Sequence, residues 1–331
     1  MKDMYCQAVK ISQKLGIEAQ ILRIRSVAGP IASTRLIAAT ALGVLFGLLP
    51  LHRASAFSIG GGSDYAILFE GGGGNTMQVT NVTVNGNVGV GNTGNLTDSG
   101  PSTINGRIDF SASNTGQFSN NNAANVFTGP FYNVAAVTNA LNDVNSLNTS
   151  LGGESGTDVN INGSTTINAS AGMFHGSDSV FNVTGFNTTN GDTLTINGDG
   201  VHDVVLNFNG LSANFNNQVM LNGLTSDHVL YNFVGGSNLT GGPTLQINDN
   251  GHNNPGNLVQ GDFLDPNGAI SITNTNLLGR VFGGDTHDIQ VVSGDTINVP
   301  EAPTSGLLIL GSVLSYLGLR RLSRIKASPR L

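Results

Sequence analysis

The chain has 331 residues, a formal net charge of −7 and a single cysteine, Cys6. Between Phe57 and Asn298 there is no lysine, and Arg107 and Arg280 are the two arginines. That stretch therefore repels phosphate backbones and anionic headgroups, which excludes nucleic-acid and peripheral-membrane binding as its purpose, and it offers neither a disulfide framework nor a thiol nucleophile.

At the N-terminus, Lys2, Lys10, Lys14, Arg23, Arg25 and Arg35 precede an apolar run from Leu36 to Leu51, which meets Ala54-Ser55-Ala56. A charged region, an apolar region and a small-x-small site in this order define a secretory signal, here cut after Ala56. The run is short for a membrane span and ends in small residues, which disfavours the alternative of a retained anchor. Residues 1–56 are thus expected to leave as a leader, with Cys6 among them. No cysteine follows the apolar run, so a lipoprotein anchor is not expected.

The body spans 57–298. Apolar residues alternate with polar ones at Val82/Val84, Val88/Val90, Val159/Ile161, Val204/Leu206/Phe208, Val219/Leu221, Val229/Tyr231/Phe233, Leu245/Ile247, Ile270/Ile272 and Ile289/Val291. This period of two predicts many short β-strands. Asn85-Gly86, Asn105-Gly106, Asn162-Gly163, Asn197-Gly198, Asn209-Gly210 and Asn222-Gly223 lie between them and tolerate the positive φ of sharp corners. Short strands and tight corners fit a solenoid, a sandwich or a barrel; loosely recurring spacing favours the solenoid, with Asn ladders at its corners. The glycine run Gly71–Gly74 is expected to be flexible. From Phe131 to Leu151 the period changes: Val134, Val137, Leu141, Val144, Leu147 and Leu151 fall at three- and four-residue steps before Gly152-Gly153. This predicts one amphipathic helix, packed along the flank or over an end.

Tyr65-Ala66-Ile67-Leu68, Asn85 to Gly91, that helix, His228 to Phe233 and the stretch from Gly261 to Gly284 together resemble the choice-of-anchor A, or collagen-binding-domain-like, extracellular proteins. More distantly they resemble ice-binding β-solenoids with a helix beside the coil. The resemblance implies a rung at Gly261–Gly268 where the chain leaves the coil and then adds another strand, although Asp265 stands where a small residue is usual, and it carries no catalytic residues.

Enzyme chemistry has little to work with. A polysaccharide lyase needs a base and cations for uronate carboxylates, and Arg107 and Arg280 are far apart in sequence. A hydrolase needs paired carboxylates; Asp199/Asp203, Asp262/Asp265 and Asp285/Asp288 are the candidates, but aspartate beside Gly and Asn is ordinarily a turn residue. His175, His202, His228, His252 and His287 show no metalloprotease spacing. Oxygen-rich 197–200 and 249–251 would suit calcium better than a transition metal, with Asx-turns as the simpler account, and no other cofactor is expected. Thr166, Thr193 and Thr195 do not form a regular Thr-x-Thr ladder of the kind an ice-binding face would need.

At the C-terminus, Val299-Pro300-Glu301-Ala302-Pro303 is followed by a mostly apolar stretch to Leu319 and then by Arg320, Arg321, Arg324, Lys326 and Arg330. As a helix this stretch reaches about 24 Å against a hydrocarbon core of about 30 Å, a marginal single transmembrane helix with its basic end cytoplasmic. An ordinary tail anchor has the same pattern. Within the tail of residues 299–331, the ordered set from Val299 to about Lys326 resembles the PEP-CTERM sorting signal, with Ala302 where proline is usual. That resemblance implies exosortase as a partner and cleavage near Pro300–Pro303. The protein would pass through an inner-membrane intermediate to the cell surface or biofilm matrix. The fold class expected is mainly β: a β-solenoid-like body, one flanking helix and the tail helix. The function expected is structural or adhesive, with exopolysaccharide or matrix proteins as partners. Carbohydrate or ice binding is the alternative, and polysaccharide degradation comes last.

Overall fold

The computed structural model describes residues 57–235, 244–248 and 258–300. Ala54 and Ala56, Glu301, Ala302 and Pro303, Arg320, Arg321 and Arg324, the tail helix, 249–251 and His252 lie outside the described residues. Among the described residues no helix is long and apolar enough to cross a membrane.

The alternating residues form short strands stacked in parallel, arranged among the described residues as sheets of fifteen, seven and three strands. Each rung contributes in turn to three faces. Asp203–Asn209, Ala213–Phe215 and Gln218–Asn222 show the pattern: one strand each in the largest, the seven-stranded and the three-stranded sheet. The nine-residue strand Thr103–Ser111 turns a corner of the coil, pairing through its first residues with Thr83–Asn85 and through its last with Asn87–Val90. This is a parallel β-solenoid, as the spacing of the strands predicts.

The coil is not built in chain order. From Tyr65–Phe69 the chain stacks outward through Asn87–Val90 and Thr103–Ser111 to Val126–Val134. It then follows the helix α1, Ala135–Gly152, to the opposite end, and builds back through Asp178–Asn187, Asp203–Asn209, Val229–Val234 and Asp262–Asp265. The last rung closes on the first, with Ile67 opposite Val281 and Met77 opposite Ile289. Gly261–Gly268 therefore does not leave the coil: Asp262–Asp265 pairs with strands on both sides, correcting the expectation for that stretch.

Inward side chains fill the solenoid. Phe208 stacks on Phe233 and Tyr231 on Phe263, both at 4.5 Å between ring centroids. Under the helix, the strands Tyr65–Phe69, Asp203–Asn209, Val229–Val234, Asp262–Asp265 and Val281–Gly283 of the largest sheet are buried on both faces. The sheet's outward Val180, Val205, Leu230, Leu264 and Phe282 pack against Val137, Leu141, Val144 and Leu151 of α1, a second core outside the coil. The helix thus lies on the flank. It begins at Ala135 and not at Phe131, because 126–134 form a strand whose ladder with Thr103–Ser111 persists to Val134. Asn133, at φ 61°, marks the break.

Within Gly71–Gly74, Gly71 and Gly72 are packed against neighbouring backbone, while Gly73 and Gly74 are exposed. Gly71 has φ 68°, a Cβ there would lie 2.4 Å from Gly94 Cα, and the Gly74 amide donates to Thr93 Oγ1 at 2.8 Å. The Asn-Gly corners have two physical origins. Gly163, Gly210 and Gly223 adopt left-handed φ of 64–71°. Gly106 and Gly198 do not; they lack a Cβ because the neighbouring rung passes too close, with Gly86 O 2.2 Å from where a Cβ on Gly106 would sit. The asparagines form ladders as expected. Asn222 Nδ2 donates to Asn197 Oδ1 and Asn197 Nδ2 to Asn168 Oδ1, each at 2.8 Å, and Asn105, Asn85 and Asn298 are linked in the same way at 2.7 Å.

Candidate functional site

The seven-stranded sheet forms one wall of the coil. Its strands are Ala213–Phe215, Leu245–Asn248, Ile270–Thr273, Ile289–Val292, Thr76–Thr80, Asn95–Asp98 and Phe118–Asn120, in that spatial order. Alternation sends Phe215, Ile247, Ile272, Val291, Val79 and Leu96 inward. The opposite phase points out. Asn214, Gln246, Ser271, Gln290, Gln78, Thr97 and Ser119 sit side by side in unbroken register. A second row of Asn248, Thr273, Val292 and Thr80 runs beside it. At about 4.8 Å per parallel strand, the seven-residue row spans roughly 29 Å.

Every member of both rows is uncharged. Asp288 stands at the margin, where it accepts from the Thr76 amide at 2.7 Å, and Asp98 turns inward, where burial raises its pKa. A face of amides, hydroxyls and one valine on a backbone fixed by ladder bonds presents regularly spaced donors and acceptors. It can match an ordered, uncharged, hydrogen-bonding surface, and has no charge to attract ions or to titrate.

The candidate catalytic pairs are dispersed. Asp199 Oδ1 accepts from the Val201 and His202 amides at 2.9 Å, and Oδ2 contacts His202 Nδ1 at 2.6 Å. Burial raises this carboxyl, but those bonds outweigh it and hold it below the usual range. Asp203 instead pairs with His228 Nδ1 at 2.5 Å. Asp262 pairs with Arg280 Nη1 at 3.3 Å; burial nevertheless pushes it up to about 7, since that single contact leaves Oδ1 without a partner. Asp265 is buried in the turn to Gly268 and is pushed up to about 8. Asp285 lies against Gly72, and Asp288 at the edge of the open sheet. Among the described residues no three His, Cys, Asp or Glu side chains converge as metal ligands, and Asp199, of the 197–200 stretch, is engaged in an Asx-turn with the Val201 and His202 amides. Thr166 and Thr195 are neighbours in register, but on the three-stranded sheet, where Met220 follows them. The long row is not legible in the sequence, because its members come from strands up to 212 residues apart, as Gln78 and Gln290 are, and not from a Thr-x-Thr pattern within one strand.

One wall of this parallel solenoid is thus covered by α1, and the seven-stranded wall carries two uncharged outward rows. The chain belongs to the family described as "Putative Ice-binding-like adhesive domain", which matches residues 53–293. Among solved structures it is similar to an ice-binding protein from the Antarctic ascomycete Antarctomyces psychrotrophicus, at 16% identity and TM-score 0.46 over 75% of this chain and 100% of that one. It is also similar to an ice-binding protein from an Arctic yeast, at 14% identity and TM-score 0.44 over 76% and 96% of the two chains. A third is an ice-binding protein from an Antarctic bacterium of the Flavobacteriaceae, at 17% identity and TM-score 0.44 over 74% and 47%. Comparison with curated protein sequences finds no match.

Proposed function

We propose that this protein is an exported adhesin that binds ice through the open seven-stranded face. The observation carrying the proposal is the seven-residue uncharged row from Asn214 to Ser119, held in register across the whole sheet. Such a row suits a lattice of hydrogen-bonding groups, and the family to which the chain belongs is described as ice-binding-like and adhesive. A crystalline, uncharged polysaccharide in a biofilm matrix presents similar chemistry and is the second reading; the amide-rich composition of the row favours keeping it.

Delivery follows from the two ends. Cleavage after Ala56 would leave Phe57 as the first residue, and Phe57 is already buried, its amide donating to Asp227 O at 3.2 Å. Val299 and Pro300 follow directly on Thr296–Asn298, the last strand among the described residues, so a sorting motif at residues 299–303 would adjoin that strand. Exosortase would act there and pass the body to the surface or matrix.

The test is ice-affinity partitioning and recrystallisation inhibition with the purified protein, set beside pull-down on insoluble uncharged glycans. Incorporation into growing ice, lost on Ser271→Tyr, supports the first reading; glycan retention with exclusion from ice supports the second. Neither activity in folded protein removes the assignment of this face.

A further inference from the structure

The two ends of the solenoid differ chemically. At one, Val126–Val134 pairs, among the described residues, with Thr103–Ser111 alone, and its outer edge is open. Val126, Phe131 and Tyr132 there are 58%, 40% and 52% exposed, an apolar concentration unusual for a polar chain. Arg107 lies beside them, its guanidinium 4.4 Å from the centroid of the Phe131 ring and its side chain half exposed. It is also in contact with Asp109 at 2.9 Å. Arg280, the other arginine of the body, is buried against Asp262. At the opposite end, Thr157–Asn162 pairs, among the described residues, with Asp178–Asn187 alone and carries exposed Asp158. Met173 and Phe174, in the adjacent strand Met173–His175, are about half exposed.

From Thr157–Asn162 to Val126–Val134 the consecutive pairings of this wall are parallel. A second copy displaced along the coil axis would therefore bring its Thr157–Asn162 beside Val126–Val134 in the same sense. An uncapped solenoid end is complementary to its other end for this reason. Charge agrees: the exposed cation of this acidic body sits at one end and Asp158 at the other. Pro130 lacks an N–H, so the contact would rest on the aromatic and charged side chains more than on a continuous ladder.

We infer that copies of this chain associate end to end, the Val126–Val134 end of one receiving the Thr157–Asn162 end of the next. Such a contact is heterologous and does not close on itself, so it generates short filaments. In an adhesin, a filament aligns many open faces and multiplies weak attachment into avidity.

The experiment is sedimentation of the full chain carrying Cys6→Ser over a concentration series, with thermal melting of every variant. The expected result is a mass that grows with concentration by whole chains. Tyr132→Asp, Arg107→Asp and Asp158→Arg should each weaken association about tenfold or more, and Asp158→Arg, whose side chain is exposed, should do so without lowering the melting temperature. Arg107→Asp combined with Asp158→Arg should restore it. If Arg107→Asp proves unstable through its proximity to Asp109, Asp158→Arg and Tyr132→Asp carry the test. A monomer at every concentration overturns the inference. So does cross-linking of Thr128→Cys to itself without cross-linking between Thr128→Cys and Asn160→Cys chains, because that would show two like edges meeting.

Discussion

Asn207 and Asn232 lie on adjacent strands beneath α1, and Asn232 Nδ2 donates to Asn207 Oδ1 at 2.8 Å. The chain of bonds continues in both directions. Asn207 Nδ2 donates to Leu151 O at 2.8 Å, and Asn148 Nδ2 donates to Asn232 Oδ1 at 2.7 Å and to Phe233 O at 2.9 Å. All three asparagines are buried. The second half of the helix is thus pinned to the sheet by a polar relay inside an apolar contact, which fixes its register where leucine and valine alone would allow sliding.

Asn232→Ala should therefore cost about 2–4 kcal/mol, since it leaves the Asn148 amide and the Asn207 carbonyl short of partners in a buried site. Asn148→Ala should cost a similar amount. The double variant should lose much less than the sum, because the two residues share bonds. Urea denaturation of the four proteins measures this; strict additivity would show that the relay is not a unit.

Stability should fall as pH rises. Burial pushes Glu70, Asp262 and Asp295 up to about 7 and Asp265 up to about 8. In the unfolded chain these groups titrate near pH 4, so between about pH 4 and about pH 8 the folded protein holds more protons than the unfolded one. Raising the pH through that window favours unfolding. His228 acts in the same direction: its bond to Asp203 raises its pKa, and the stabilisation this gives is complete below the unfolded value near 6.5 and fades above it. Thermal melts should give a higher Tm at about pH 5 than at about pH 8, and Asp265→Asn should flatten the slope.

The two kinds of Asn-Gly corner predict different costs for the same change. Gly106→Ala drives a methyl into the Gly86 carbonyl of the next rung and should cost about 2–3 kcal/mol through displaced backbone. At Gly210 nothing lies within 4 Å of an added Cβ, and Ala pays only for a φ of 64°, about 1 kcal/mol. Equal losses in Tm would mean that backbone conformation alone accounts for both corners.

The strands, the corners and the helical face could be read from the sequence because each is a local pattern: Val229/Tyr231/Phe233 alternate within six residues, and Val137 to Leu151 share one helical stripe. The closure of Ile67 on Val281 could not, because no local pattern specifies a pairing between residues 214 apart. The same holds for the candidate site. Gln78 and Gln290 are unremarkable surface residues in their own strands and become neighbours only when the last rung docks on the first. Even the start of α1 was a contest between levels. Phe131 and Val134 fit the helical period, but pairing with Thr103–Ser111 took them into a strand.

The open face gives the sharpest functional prediction. Ser271 and Gln78 lie in the central row, partly exposed, so a larger side chain at either stands above the plane without entering the core. Ser271→Tyr or Gln78→Lys should lower ice or glycan binding about tenfold or more by holding the surface away from the row, while changing stability by less than about 0.5 kcal/mol. Because the row carries no charge, binding by the unmodified protein should be nearly insensitive to salt between low and physiological ionic strength. Thr166→Tyr, on the three-stranded sheet, should change nothing, and a partition assay run on all three variants separates the two walls. If Thr166→Tyr abolished binding while Ser271→Tyr left it intact, the adhesive surface would belong to the Thr166–Thr195 wall and the seven-residue row would be structural.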